Sequence, residues 1–264
     1  MRISSAALLL AMATASISLR AESLESLHAK CAVSPGRDGG NGSKLSLHIF
    51  DTKDCPESRH CGSDFSNESM SRFTGVSLSD LANEGAHLTA TLHAEAGTFT
   101  CTGIVHDQEL YGDALFTPDQ TFVDTMAKLG FTGYDSQKLQ AYALLDVTSD
   151  YARSLQQANI RGLTTDNLIA MRIFKIDTSY PQNFVAMGYE QPDADKLIGL
   201  KVQGVNADEI RQIRDLGFKP TLDELIQIRI FKITPEFVRR MQSRGLKDLT
   251  ISKLVQIKIF KLDE

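Results

Sequence analysis

In the second half of the chain, apolar residues recur at helical spacing in short bursts, and the bursts themselves recur. Phe122 with Met126, Tyr151 with Leu155, Tyr180 with Phe184, Ile210 with Ile213 and Phe237 with Met241 each mark one face of a short helix. A second apolar set includes Leu139, Leu168, Leu197, Leu225 and Leu254. Aligned on the residues that close it, Val147, Ile176, Val205, Ile233 and Leu262, the steps are 29, 29, 28 and 29 residues. A period of that size marks stacked supersecondary units.

The polar columns say where each helix starts and stops. Asp119, Thr148, Asp177, Asn206 and Thr234 precede the first helices, and Pro235 follows the last of them. Asp135, Thr164, Asp193, Thr221 and Thr250 precede the second helices. Each of these side chains accepts hydrogen bonds from the free N–H groups of a helix start, and Thr221 with Glu224 spells a capping box. The first helices run into Gly130, Asn159, Gly188, Gly217 and Gly245, residues that enter the left-handed conformation readily. Phe131, Ile160, Tyr189, Phe218 and Leu246 then supply the apolar contact of a Schellman turn. Helices this short are unstable alone, so neighbours must stack. The pattern predicts a five-unit, all-α solenoid of helix–turn–helix repeats over residues 117–264.

The segments "RIFKI" (172–176 and 229–233) and "KIFKL" (258–262) alternate like a strand, but their columns place them at helix ends. The penultimate column, Asp146, Lys175, Gly204, Lys232 and Lys261, contains a glycine, the mark of a left-handed C-terminal cap. The first column holds Ala143, then four cations: Arg172, Lys201, Arg229 and Lys258. Two readings remain open for these four. Cations complement the negative end of a helix. A stacked array also aligns them into a basic ridge suited to an acidic peptide, glycan or phosphate.

Residues 22–116 differ in pattern. "KLSLHIF", "RFTGVSL", "HLTATLH", "TFTCTGIV" and "ELYGDALF" are rich in β-branched and aromatic residues and several alternate, which predicts a small antiparallel sheet of four to six strands. The last two flank "HDQ" as a hairpin, and "SPGRDGGNGS" reads as a loop. The fold class is therefore α+β, a small β domain followed by the helical array.

Composition narrows the function classes. The net charge of −5 argues against a general nucleic-acid binder. Residues 1–21 within "MRISSAALLLAMATASISLRAES" read as a signal peptide: one Arg, an apolar run too short to span a bilayer, then small residues. Export to the periplasm or beyond follows, with no membrane span left after its removal. Cys31, Cys55, Cys61 and Cys101 then read as two disulfides. Three pairings satisfy the count; Cys31–Cys101 with Cys55–Cys61 is preferred. With no CxxC pair, metal binding by these cysteines is the weaker reading.

All six histidines lie in the β domain. His87 and His93 share a strand face, and with His48 or His106 they are the material for a metal site or a hydrolase site, although surface histidines on strands are commonplace. "HDQEL" lacks the second His of a zinc helix, and there is neither a GxSxG elbow nor a phosphate-cradling glycine loop. No cofactor is expected. Asn41 and Asn67 stand in glycosylation-type sequons, which matter only in a eukaryotic secretory host.

The unit "ITPEFVRRMQSRGLKDLTISKLVQIKIFK", together with "AGTFTCTGIVHDQELYGDALFTPDQTFVDTMAKLGF", resembles a bacterial exported repeat family. That family occurs in extracytoplasmic tails of beta-lactam-sensor-type membrane metallopeptidases and as free-standing proteins of unknown role. The resemblance spans about residues 72–264 and implies an envelope-located sensing or binding module. This chain lacks HExxH, so it does not carry over peptidase activity. The reading is a non-enzymatic interaction protein with a protein or peptide partner in the envelope; the alternative is a periplasmic hydrolase using the β-domain histidines.

Overall fold

A computed structural model describes residues 24–36, 44–50, 63–246 and 248–262. Residues 1–21, read as a leader, and Asn41, Cys55 and Cys61 lie outside the described residues. The fold is α+β. Among the described residues seven strands form one antiparallel sheet: β1 (Leu27–Pro35), β2 (Lys44–Phe50), β3 (Ser63–Ser69), β4 (Phe73–Thr74), β5 (His87–Ala94), β6 (Gly97–His106) and β7 (Glu109–Pro118). The order is β3-β2-β1-β7-β6-β5-β4, so two meanders meet where β1 pairs with β7.

Alternation decides which face is covered. On β5, Ala90 and Leu92 are buried while His87, Thr89 and His93 face out; on β6, Phe99, Cys101 and Val105 turn inward. Cys31 on β1 and Cys101 on β6 form a disulfide, as preferred from the sequence. Their Cα atoms are 6.0 Å apart although β7 lies between them. A flat sheet would separate them by about 9.6 Å, so the sheet bends sharply across β7. Gly103 and Gly112 oppose each other at that bend, and a Cβ on Gly103 would come within 1.8 Å of the Tyr111 carbonyl oxygen.

The sheet departs from the sequence reading in four places. It has seven strands rather than four to six. Strand β1 lies in none of the expected strand stretches, and its end, Ser34–Pro35, falls in the expected loop. Strand β3, "SDFSNES", carries little apolar signal because it is an edge strand. The stretch "RFTGVSL" is not one strand: Phe73–Thr74 pair with β5, Gly75 turns, and Ser77 caps a short helix α1 (Leu78–Leu81). The reciprocal Ser77–Asp80 capping box outweighs the strand propensity of the flanking residues.

Ten further helices follow: α2 (Gln120–Lys128), α3 (Ser136–Leu145), α4 (Ser149–Gln157), α5 (Thr165–Ile173), α6 (Ser179–Val185), α7 (Ala194–Val202), α8 (Ala207–Asp215), α9 (Leu222–Ile230), α10 (Pro235–Ser243) and α11 (Ile251–Ile259). Nine of their N-caps are the residues the polar columns mark, with the side chain bonded to the N2 or N3 amide. Before α6 the helical backbone begins at Thr178, yet Asp177 still accepts from the amides of Ser179 and Tyr180. Gly130, Asn159, Gly188, Gly217 and Gly245 all have positive φ, as helix C-terminal turns require.

Packing follows the second helix of each pair: α3 on α5, α5 on α7, α7 on α9 and α9 on α11. Polar ties run alongside, from Lys138 to Asp166, Asn167 to Asp195 and Lys196 to Asp223. Helix α3 also packs on β3, β5, β6 and β7, and Glu95 accepts a hydrogen bond from the Ser149 amide, 2.8 Å. Sheet and helices thus share one continuous core. No helix is long and apolar enough to cross a membrane among the described residues.

Candidate binding face

The RIFKI-like segments end α5, α9 and α11, and the related "KVQGV" ends α7. In each, the closing residue's amide reaches back to the helix: Ile176 to the Met171 carbonyl (2.8 Å), Val205 to Leu200 (3.0 Å), Ile233 to Ile228 (2.9 Å) and Leu262 to Ile257 (3.0 Å). The residue before it is left-handed, with φ of 52° at Lys175, 67° at Gly204, 51° at Lys232 and 51° at Lys261. Ile176, Val205 and Ile233 are buried by this turn. The alternation is therefore a helix ending in a Schellman turn.

The four cations are placed by these ends, and each reaches toward the preceding pair or its own pair's first helix. Arg172 Nε donates to the Leu145 carbonyl at the end of α3 (3.0 Å), and its Nη2 pairs with Asp146 (3.2 Å). Arg229 Nε donates to the Gln203 carbonyl at the end of α7 (2.7 Å), and its Nη1 pairs with Glu209 (3.3 Å). Lys201 Nζ lies 4.6 Å from the centre of the Tyr180 ring, Lys258 Nζ 4.1 Å from that of Phe237, and the Arg172 guanidinium 5.4 Å from that of Tyr151. Tyr151, Tyr180, Glu209 and Phe237 occupy one column, so a π-face or a carboxylate meets the cation each time. Arg172 and Arg229 complete helix C-termini, the helix-end role. The four do not converge on a common point.

The outward position is the next residue. Ile173, Val202, Ile230 and Ile259 are 52%, 48%, 51% and 53% exposed, whereas Leu144, their equivalent on α3, is 3% exposed. The difference comes from the segment Asn67–Arg72 beside α3, whose Arg72 donates Nη2 to the Ala143 carbonyl (3.1 Å) and pairs with Asp146 (3.3 Å). Where that segment stops, a cleft of about 740 Å³ opens, lined by Asn67, Glu68, Tyr151, Arg172, Ile173 and Lys175 among others. Exposed Lys175, Lys232 and Lys261 flank the apolar row. Periodicity alone missed this row, because the exposed residues stand in the same column as a buried one.

Tyr151 lines the cleft with its hydroxyl donating to the Ile176 carbonyl, 2.7 Å, and burial pushes its phenol up to about 12. Tyr180 is held up to about 12 by burial too, but its buried hydroxyl has no partner.

The sheet histidines do not assemble. His48 stands on β2, separated from β5 by three strands. His87 and His93 share the exposed face of β5 but lie six residues, about 20 Å, apart, too far to hold one ion. His93 Nε2 meets Thr74 Oγ1 at 3.0 Å. His106 Nδ1 meets Glu84 at 2.7 Å beside Asp107, an exposed trio with the geometry of an ion pair at a hairpin turn. The Glu84 hydrogen bond, helped by the charge of Asp107, raises the His106 pKa, and the same bond lowers that of Glu84. Asp107 and Gln108 form that turn with positive φ at both positions.

No family model, curated protein or solved structure matches the chain.

Proposed function

We propose that this is an exported, non-enzymatic binding protein of the cell envelope, in which the helix pairs form a five-unit α-solenoid that presents the Ile173–Val202–Ile230–Ile259 row to a protein or peptide. The observation that carries the reading is the row itself. Four β-branched side chains, each about half exposed, stand at one position of successive units. Exposed apolar side chains repeated at one position support an interaction surface, and extended faces are how stacked repeats bind. Further support comes from the leader-like N-terminus, and the Cys31–Cys101 disulfide is compatible with an oxidising compartment. The resemblance to envelope repeat proteins points the same way. The sheet acts as the scaffold that closes one end of the array.

Site-specific photocrosslinking tests this. A benzoylphenylalanine at position 230 should capture an envelope protein or peptide that the same group at Asp208, on an exposed helix surface, does not. Equal capture at both positions, or none at 230, removes the row as a binding face.

A further inference from the structure

The binding reading leaves the partner's chemistry open, and the first helix pair shows what covers such a position. We infer that the row takes an extended acidic peptide carrying an apolar residue at every third position; the inference rests on the binding reading and names its ligand class.

At α3 the row position is already occupied. Leu144 is buried, and the chain alongside runs from strand β3 into the turn at Arg72, which reads the left-handed residue Asp146 through an ion pair. A cation in the covering segment thus answers an acid at the helix end. In later pairs the apolar residue stays and the charge is reversed. Lys175 stands two residues after Ile173, Lys232 two after Ile230 and Lys261 two after Ile259; Gly204 stands two after Val202. The segment that covers these positions should carry carboxylates where β3 leads to Arg72.

The lysines are an independent sign. Each holds a left-handed backbone that favours glycine, and to a lesser degree asparagine and aspartate, over lysine. Gly204 shows that glycine fits the same position and completes the same turn. Lysine here sacrifices backbone stability to place an exposed ammonium beside an exposed Ile. Among the described residues none of the three forms an ion pair, and the acids of the helix ends are engaged elsewhere: Asp146 with Arg72 and Arg172, Glu209 with Arg229, and Asp177 with the first amides of α6.

Spacing selects the peptide pattern. Packed helices stand about 8–10 Å apart. An extended polyproline-type chain rises about 3.1 Å per residue with three residues per turn, about 9.3 Å per turn. One apolar side chain per turn therefore meets successive members of the row, with two residues between them free to carry acids.

The test uses the full chain and an array of 15-residue peptides. Leu is placed at every second, third or fourth position, and the remainder is Glu/Pro or, as control, Lys/Pro. Retention should be greatest for the acidic period-three peptide. By fluorescence anisotropy its affinity should fall at least about tenfold in I173S/V202S/I230S/I259S and in K175G/K232G/K261G, and should weaken with salt. The glycine variant should melt at a higher temperature while binding less, an outcome no folding defect produces. Equal retention of Lys peptides, or unchanged binding by the glycine variant, overturns the inference. Binding through the row only to phosphatidylglycerol vesicles, or only to a second copy of the chain, overturns it as well. If crosslinking from position 230 succeeds and the peptides fail, the acidic-peptide assignment falls and the binding face stands; if crosslinking fails, both fall.

Discussion

The sheet and the helices hold their chains together over different distances. Lys30 on β1 reaches Asp113 on β7, 83 residues away, and the disulfide closes a separation of 70. In the helices the ties between pairs are short in sequence: Tyr142 to Thr165 spans 23 residues, Gln156 to Leu129 spans 27, and Arg172 to Leu145 spans 27. One region is closed by pairings distant in sequence; the other is tied by pairings much closer in it. The contrast explains why the covered Leu144 and the open Ile173 coexist. Among the described residues the packing of helices on the sheet is mainly through α3 of the first pair, with Glu95 reaching the Ser149 amide at the start of the second.

The largest expected effect tests the closure. In C31S/C101S the lost cross-link should destabilise the sheet by roughly 4 kcal/mol. Hydrogen exchange should show sheet amides losing protection while α7 to α11 keep theirs; uniform loss would make the two regions one cooperative unit. Next, Leu197→Ala, at a fully buried position of α7, should cost about 2–5 kcal/mol, read as faster exchange in α5 to α9 with the sheet unchanged. Smaller is Arg172→Met, which removes the bonds to the Leu145 carbonyl and Asp146 and should cost about 1–2 kcal/mol in urea melts. Lys201→Met, losing only a ring contact, should cost about 0.5–1 kcal/mol.

Of similar size is a matched pair within the helices. Tyr151→Phe leaves the Ile176 carbonyl without its donor and should cost about 1 kcal/mol, whereas Tyr180→Phe removes a partnerless hydroxyl and should be neutral or stabilising. The smallest effect lies on the sheet. The Glu84–His106 pair is worth most between the ordinary Glu value of 4.5 and the ordinary His value of 6.5. Below that window Glu84 protonates as pH falls through its lowered pKa, and above it His106 loses its proton as pH rises through its raised one. An NMR titration of Glu84→Gln should return His106 toward 6.5.

Local signals were legible in the sequence. N-caps and left-handed turns depend on a few adjacent residues, and the aligned columns replicated each one, so Asp119, Thr164 or Gly217 could be read directly. What depended on distant partners was not. Strand β3 is polar because an edge needs little burial, and no pattern in "SDFSNES" says that it will lie beside Leu144. The four cations were legible as helix-end residues, but their ring and carboxylate partners, Tyr151, Tyr180, Glu209 and Phe237, emerge only from the folded geometry. The exposed row was hidden for the same reason: periodicity marks an apolar position without saying whether anything will cover it.

The Cys31–Cys101 bridge also sets how the molecule would yield to a mechanical load. Pulled from residues outside the bridge, the chain cannot pay out the 70-residue span it locks. At about 3.4 Å per residue that withholds some 240 Å of contour. The oxidised protein should therefore lengthen through the helix pairs and keep most of the sheet as a short tether, whereas the reduced one should release both.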